Sequence, residues 1–222
     1  MLSAKLDHRL DKVVLPVVRL LARAGLTPNN LTIAGALTSA VAAAALLFGH
    51  FRIGGILILL GGVFDLLDGA LARVVGQQTR FGAVLDSTLD RYSDVLPILG
   101  LMLYYSGWTE TGPLRLGGMM LCGAVILGSL LVPYVRARAE LMIERCDIGI
   151  AERAERILIL SGGLVIDADI AALWILAILT HFTVFQRLWF VRKQLKQDEE
   201  AHNHVERPNQ HKLAASDLEG KL

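Results

Sequence analysis

The sequence predicts an all-α integral membrane protein, with six transmembrane helices preceded by an N-terminal interfacial amphipathic helix. Three observations predict it. Of 222 residues, 54% are apolar and 19% charged, with a mean hydropathy of +0.50, against roughly 45–50% apolar residues in soluble domains. Residues 31–51 and 116–135 are free of formal charge, and each reaches the ~20 residues that cross a hydrocarbon core. A six-span arrangement puts 20 of the 22 Lys and Arg on one side, all but Arg52 and Arg115, as the positive-inside rule requires. The same composition excludes a water-soluble globule and a disordered chain, which needs low hydrophobicity and high net charge. A formal net charge of +1 gives no electrostatic footprint for nucleic acid.

Residues 1–30 form a cytoplasmic interfacial helix and turn. Leu6, Leu10, Val13, Val14, Val17, Leu20 and Leu21 share one face of a helix over 5–24, with bases on the other, which suits a helix lying on the cytoplasmic leaflet. A helix packed only against protein is the alternative. No small-residue cleavage site follows, so a signal peptide is not expected. Gly25 to Pro28 then turns the chain. The six-helix transmembrane domain occupies 31–196. Besides the two uncharged runs, 170–186 extends through Trp189 and Phe190, aromatic residues that favour the interface. Residues 53–75 and 82–106 are apolar but interrupted by charge, and 157–166 is long enough only if its helix starts near Glu152. An even number of spans places both termini in the cytoplasm, in a multi-pass protein of the plasma membrane. Residues 197–222 are polar and aperiodic, a disordered cytoplasmic tail whose three histidines are solvated. Cys122 and Cys146 support neither a disulfide framework nor a zinc site.

Five aspartates lie between 65 and 94: Asp65, Asp68, Asp86, Asp90 and Asp94. Each costs at least ~2.5–3.5 kcal/mol at the centre of an isolated span, which makes function the default reading. Asp65 and Asp68 are three apart, and Asp86 and Asp90 four apart, so each helix presents two carboxylates on one face. The short turn 74–81 makes the two helices antiparallel neighbours, and the four acids converge at the cytoplasmic mouth of one cavity. Carboxylates so placed cannot all stay ionised without cations. Oxygen-only ligands imply a hard divalent ion, Mg²⁺ or Mn²⁺, and four carboxylates suffice for two ions about 4 Å apart. Gly61, Gly62, Gly69, Ala70, Ala72, Gly82 and Ala83 surround the acids, either for close helix contact or, at Gly69, to leave room for a bulky ligand.

Read as Asp65-x-x-Asp68-Gly69-x-x-Ala72-Arg73, eight residues, Gly82-x-x-x-Asp86-x-x-x-Asp90, this stretch resembles the signature of the CDP-alcohol phosphotransferases at every position. The resemblance extends to the plan of an interfacial helix and six spans over nearly all of 1–196, which makes the membrane domain the catalytic one. It implies that Asp65, Asp68, Asp86 and Asp90 hold two Mg²⁺ ions, with Asp90 also the general base. It further implies that Gly69, Ala72, Arg73, Thr79 and Gly82 lie at the nucleotide of a CDP-linked lipid. The run from Pro28 through Asn29, Asn30 and Leu31 to Thr32 resembles the stretch bordering that nucleotide. A homodimer is expected from the same resemblance. The implied reaction transfers a phosphatidyl-type group from a CDP-linked lipid, diacyl or ether, to a hydroxyl, releasing CMP in phospholipid biosynthesis.

The acceptor is read from arginines. Arg136 and Arg138 end one span, Arg153 begins the next and Arg187 lies in the last. This resembles the branch whose acceptor is inositol phosphate, and it implies a cradle for the phosphate of a phosphorylated polyol, a task suited to the guanidinium fork. The positive-inside rule alone would also place arginines here. A phosphatidylglycerol-phosphate synthase using glycerol 3-phosphate is the alternative within the class, and an ion-coupled transporter the alternative outside it.

Overall fold

The computed structural model describes residues 15–76, 78–108 and 115–219, without the side chains of 198, 199 and those beyond 200. Seven helices follow in order: α1 (15–23), α2 (Pro28–Leu47), α3 (Phe51–Val75), α4 (Arg80–Tyr105), α5 (Leu116–Ala139), α6 (Arg153–Val165) and α7 (Asp169–Glu219). Among the described residues there is no strand.

Local chemistry sets the boundaries that matter for the site. Gly25 ends α1 with a φ of +76°, and the Thr27 hydroxyl accepts from Asn30 N–H at 3.3 Å to cap α2, with Pro28 in the first turn. Both choices satisfy a helix start that otherwise leaves N–H groups without partners. Gly76, at φ +67°, closes α3. Thr79 then opens α4, its hydroxyl accepting from Gly82 N–H at 2.9 Å.

Among the described residues, four helices are long and apolar enough to cross a membrane: α2, α3, α5 and α7 over Asp169–Gln197. Two of the six expected spans do not meet that standard alone. Acids and arginines interrupt the first half of α4. α6 has 13 residues, about 20 Å at 1.5 Å per residue against a core of roughly 30 Å. It begins at Arg153 with Glu152 as its N-cap and ends before Asp167, which turns at φ +57° and pairs with Arg52 at 2.5 Å. α7 continues as helix where a disordered tail is expected, but the side chains there lie almost wholly outside the described residues. Residues 5–14 of the expected interfacial helix also lie outside them. Its remainder, α1, buries Val18 against Leu31, Ala70 and Leu71 while Val17 and Leu20 stay exposed, so it packs on protein and keeps an apolar outer face.

The packing order differs from chain order. α3 and α4 touch only marginally, because α2 lies between them and packs on both; α5 packs on α4 and α7, and α6 on α3 and α7. Small residues allow the close approaches that membrane helices need. A Cβ at Gly100 would run into the Ala43 carbonyl, one at Gly128 into Thr180, and one at Gly61 would sit 3.2 Å from Ser39 Oγ. The main core gathers Leu46, Ile58, Leu101, Tyr105, Val125, Leu164 and Leu173. At the end away from the acids, the Tyr105 hydroxyl donates to the Asp169 carboxylate.

Candidate functional site

α2 packs between α3 and α4, and all three border one space at the end where α2 and α4 begin and α3 ends. A cavity of about 320 Å³ opens there, lined by Pro28, Asn29 and Thr32 from α2, Asp68, Gly69 and Ala72 from α3, and Gln78, Thr79, Gly82, Ala83 and Asp86 from the turn and α4. Six of the nine residues expected at the nucleotide line it: Asn29, Thr32, Gly69, Ala72, Thr79 and Gly82. Asn30 is exposed and Leu31 is buried beneath α1, so neither faces the cavity; Arg73 is not in its lining either. Two of the glycines have separate reasons. A Cβ at Gly82 would lie 2.9 Å from the capping Thr79 hydroxyl, whereas one at Gly69 would meet nothing nearer than Arg73 Nη1 at 3.9 Å. Gly82 therefore permits the cap, and Gly69 leaves the cavity open.

The aspartates fall into two groups. Asp68 and Asp86 line the cavity and make no ion pair among the described residues; Asp68 is 5% exposed, and its Oδ2 is buried without a hydrogen-bond partner. Asp65 and Asp90 lie beside Arg153, whose Nη2 and Nη1 approach Asp65 Oδ2 at 2.7 Å and Asp90 Oδ1 at 2.8 Å. Asp94, one turn beyond Asp90, pairs with Arg156 at 2.5 Å and approaches Arg153 Nε at 3.5 Å. Asp86 interacts electrostatically with Asp65, Asp68 and Asp90, so both helices direct negative charge at one place. Among the described residues, however, no three acids, histidines or cysteines are gathered tightly enough to hold an ion. Arg153 stands between the Asp65 and Asp90 carboxylates where direct convergence of all four is expected.

The donor set still fits a divalent cation. It is all oxygen, which suits Mg²⁺ or Mn²⁺, and an orphaned carboxylate oxygen at Asp68 is the kind of group whose burial costs free energy until a cation or donor meets it. The cysteines take no part. Cys122 and Cys146 are buried and free, and burial pushes the Cys146 thiol up from its ordinary pKa, which keeps it protonated and inert.

The other expected arginines are distributed around the loop between α5 and α6. Arg136 donates from Nε to Glu140 at 2.8 Å and from Nη2 to Asp147 at 2.9 Å. Arg138 is exposed. Arg187, 2% exposed, donates to the Ile148 carbonyl at 2.8 Å and the Val132 carbonyl at 2.6 Å. It feels the charges of Arg136 and Arg156, so three arginines share one end of the bundle. Arg156 and Asp94 were not among the expected site residues. The signal for both was present: Asp94 continues the stripe of Asp86 and Asp90 by four, and Arg156 repeats Arg153 by three.

The family model for CDP-alcohol phosphatidyltransferases matches residues 25–185. The chain belongs to the CDP-alcohol phosphatidyltransferase family. It is 39% identical over 190 residues to a phosphatidylinositol phosphate synthase of Mycobacteroides abscessus, covering 82% of this chain and 84% of the relative. An archaetidylinositol phosphate synthase of Pyrococcus horikoshii is 36% identical over 192 residues, covering 83% and 95%. Among solved structures, the phosphatidylinositol phosphate synthase PgsA1 of Mycobacterium tuberculosis with CDP-DAG bound superposes with a TM-score of 0.71 at 34% identity, over 81% of this chain and 94% of that one. The same enzyme in complex with manganese and citrate gives 0.72 at 34% identity, over 80% and 88%. The chain is thus similar to proteins that act in phospholipid biosynthesis, one of them crystallised with a CDP-linked lipid and with a divalent metal.

Proposed function

We propose that this chain transfers the phosphatidyl-type group of a CDP-linked lipid, CDP-diacylglycerol or its ether analogue, to a hydroxyl of myo-inositol phosphate and releases CMP. The observation that carries this reading is the position of Asp90. One turn before it, Asp86 lines the cavity; Asp90 itself touches Arg153. Carboxylates therefore separate a pocket for a nucleotide from a base suited to an acceptor phosphate.

Asn29, Thr32, Gly69, Ala72, Thr79 and Gly82 border the nucleotide, and Arg73 serves it from the end of α3. Asp65, Asp68, Asp86 and Asp90 are the residues to hold two Mg²⁺ ions, or Mn²⁺ in their place. Bound there, such ions neutralise charge on the pyrophosphate and improve CMP as a leaving group. Arg153 receives the acceptor's phosphate, with Arg136, Arg138 and Arg187 completing the cradle. Asp90 accepts the proton of the attacking hydroxyl. The hydroxyl oxygen bonds to the lipid-bearing phosphorus as the bond to CMP breaks.

The same reading completes the topology. α4 and α6 are the third and fifth of six spans; α6 borrows length from the residues flanking it. Both termini are cytoplasmic, the membrane is the plasma membrane, and the protein is a homodimer. The test uses purified protein in detergent with CDP-diacylglycerol, Mg²⁺ and inositol 1-phosphate. Wild type is expected to release CMP, and Asp90→Asn to release none while still binding CDP-diacylglycerol. Turnover by that variant at the wild-type rate removes Asp90 from the mechanism.

A further inference from the structure

Asp94 is the one aspartate of the buried stripe that neither lines the cavity nor belongs to the motif. Its side chain is 8% exposed, as is that of Arg156, and the two meet at 2.5 Å. Arg156 is fixed a second time, by donating from Nη1 to the Ala151 carbonyl at 3.0 Å, and Ala151 N–H in turn donates to Thr183 Oγ1 at 3.1 Å. The start of α6 is thereby tied to α4 on one side and α7 on the other. Arg153 and Arg156 are three apart and share a face of α6, so the other Asp94 oxygen comes to lie 3.5 Å from Arg153 Nε. Arg153 Nε makes no hydrogen bond and faces the Asp94 carboxylate only as an ion pair, while its two terminal nitrogens approach Asp65 and Asp90.

We propose that Asp94 is a positioning residue for the acceptor. Anchored by Arg156, its carboxylate draws the Nε side of the Arg153 guanidinium towards α4 by charge, so that the Nη edge meets the acceptor's phosphate beside Asp90. The charges that face this group are Asp65 on α3, Asp86, Asp90 and Asp94 on α4, and Arg156 on α6. Without the negative charge at 94, Arg153 is drawn only towards Asp65 and Asp90, and its Nε side faces no counter-charge. The donor cavity, formed by α2, α3 and the start of α4, does not include Asp94 and is left as it is. The proposal rests on the phosphorylated-acceptor reading above.

Removing Asp94 alone leaves Arg156 buried without its counter-charge, which strains the fold whatever the role of Arg153. The experiment therefore compares Asp94→Asn with the charge-balanced pair Asp94→Asn and Arg156→Gln, and with Asp94→Glu, which keeps the charge. Four quantities are measured in detergent: KM for inositol 1-phosphate, KM for CDP-diacylglycerol, competitive inhibition by inorganic phosphate, and the melting temperature. Both Asn variants are expected to raise the acceptor KM and the phosphate inhibition constant about tenfold, the effect of one lost charge-assisted contact. KM for CDP-diacylglycerol should stay within about twofold, and Asp94→Glu should recover part of the acceptor affinity. A wild-type acceptor KM in the charge-balanced variant would mean that Asp94 only neutralises Arg156, and parallel loss of both KM values with the melting temperature would mean that it only holds α4 to α6. Either result overturns the proposal. A wild-type protein that releases no CMP with any phosphorylated acceptor would instead overturn the functional reading on which it rests.

Discussion

At the scale of single residues, the site works by leaving some groups unsatisfied. Asp68 has a buried oxygen without a partner, and a Cβ at Gly69 beside it would meet nothing nearer than Arg73 Nη1 at 3.9 Å. Replacing Gly69 by Ala should therefore leave the fold intact and even favour α3, since glycine inside a helix costs about 0.5–1 kcal/mol relative to alanine. The new methyl enters the cavity instead. KM for CDP-diacylglycerol is expected to rise about tenfold, in keeping with an overpacking cost of ~1–3 kcal/mol, at an unchanged or higher melting temperature. A variant with wild-type KM would show that Gly69 serves helix packing. Asp68→Asn should abolish metal-dependent CMP release and weaken Mn²⁺ binding measured by electron paramagnetic resonance. Unaltered Mn²⁺ affinity would remove Asp68 from the ligand set.

Much of this was legible in the sequence because spacing on a helix is rigid: acids three or four apart share a face whatever surrounds them. The partner of those acids was less legible. Arg153 reaches Asp65 and Asp90 across 88 and 63 residues of chain, and no periodicity encodes a contact between two helices of a bundle. Leu31 shows the converse, since a residue adjacent to cavity residues in sequence points the opposite way, into the cluster beneath α1.

Among the elements, the wedge made by α2 is the decisive arrangement. A short connection between α3 and α4 suggests that they pack together, yet α2 lies between them because small residues let it approach both. Gly35 faces Asp65 and Phe64, and Gly100 faces the Ala43 carbonyl. Gly100→Ala should lower the melting temperature substantially, since the added methyl meets backbone that cannot rotate away; the cost is about 1–3 kcal/mol or more. A melt like that of wild type would contradict the contact between α2 and α4. Thr79→Ala should cost about 1 kcal/mol through the lost cap. The long apolar helices were readable from length and composition alone. The place of α6 and its start near Glu152 were readable too, but its length was not, because the helix is cut to 13 residues by the Asp167 turn and its pair with Arg52, a contact between residues far apart in the chain.

For the whole molecule, the near balance of 22 bases and 21 acids conceals two separated populations. On the six-span reading all bases but Arg52 and Arg115 fall on one side, and Asp65, Asp90 and Asp94 enter the bundle where Arg153 and Arg156 meet them. The six-span reading predicts that a thiol introduced by Glu200→Cys reacts with an impermeant maleimide only when the cytoplasmic face is exposed, and one introduced by Trp108→Cys only from outside. Both native thiols are buried, so background labelling is low. Labelling of both positions from one side would require an even number of spans between them, against the three (α5, α6 and α7) of the six-span reading. The most direct test of the account is radiolabelled CMP release by purified protein with CDP-diacylglycerol and Mg²⁺, offered inositol 1-phosphate, glycerol 3-phosphate, free inositol and serine in turn. The account predicts CMP release with inositol 1-phosphate above all others and none without divalent metal; release only with the uncharged or zwitterionic acceptors would contradict it.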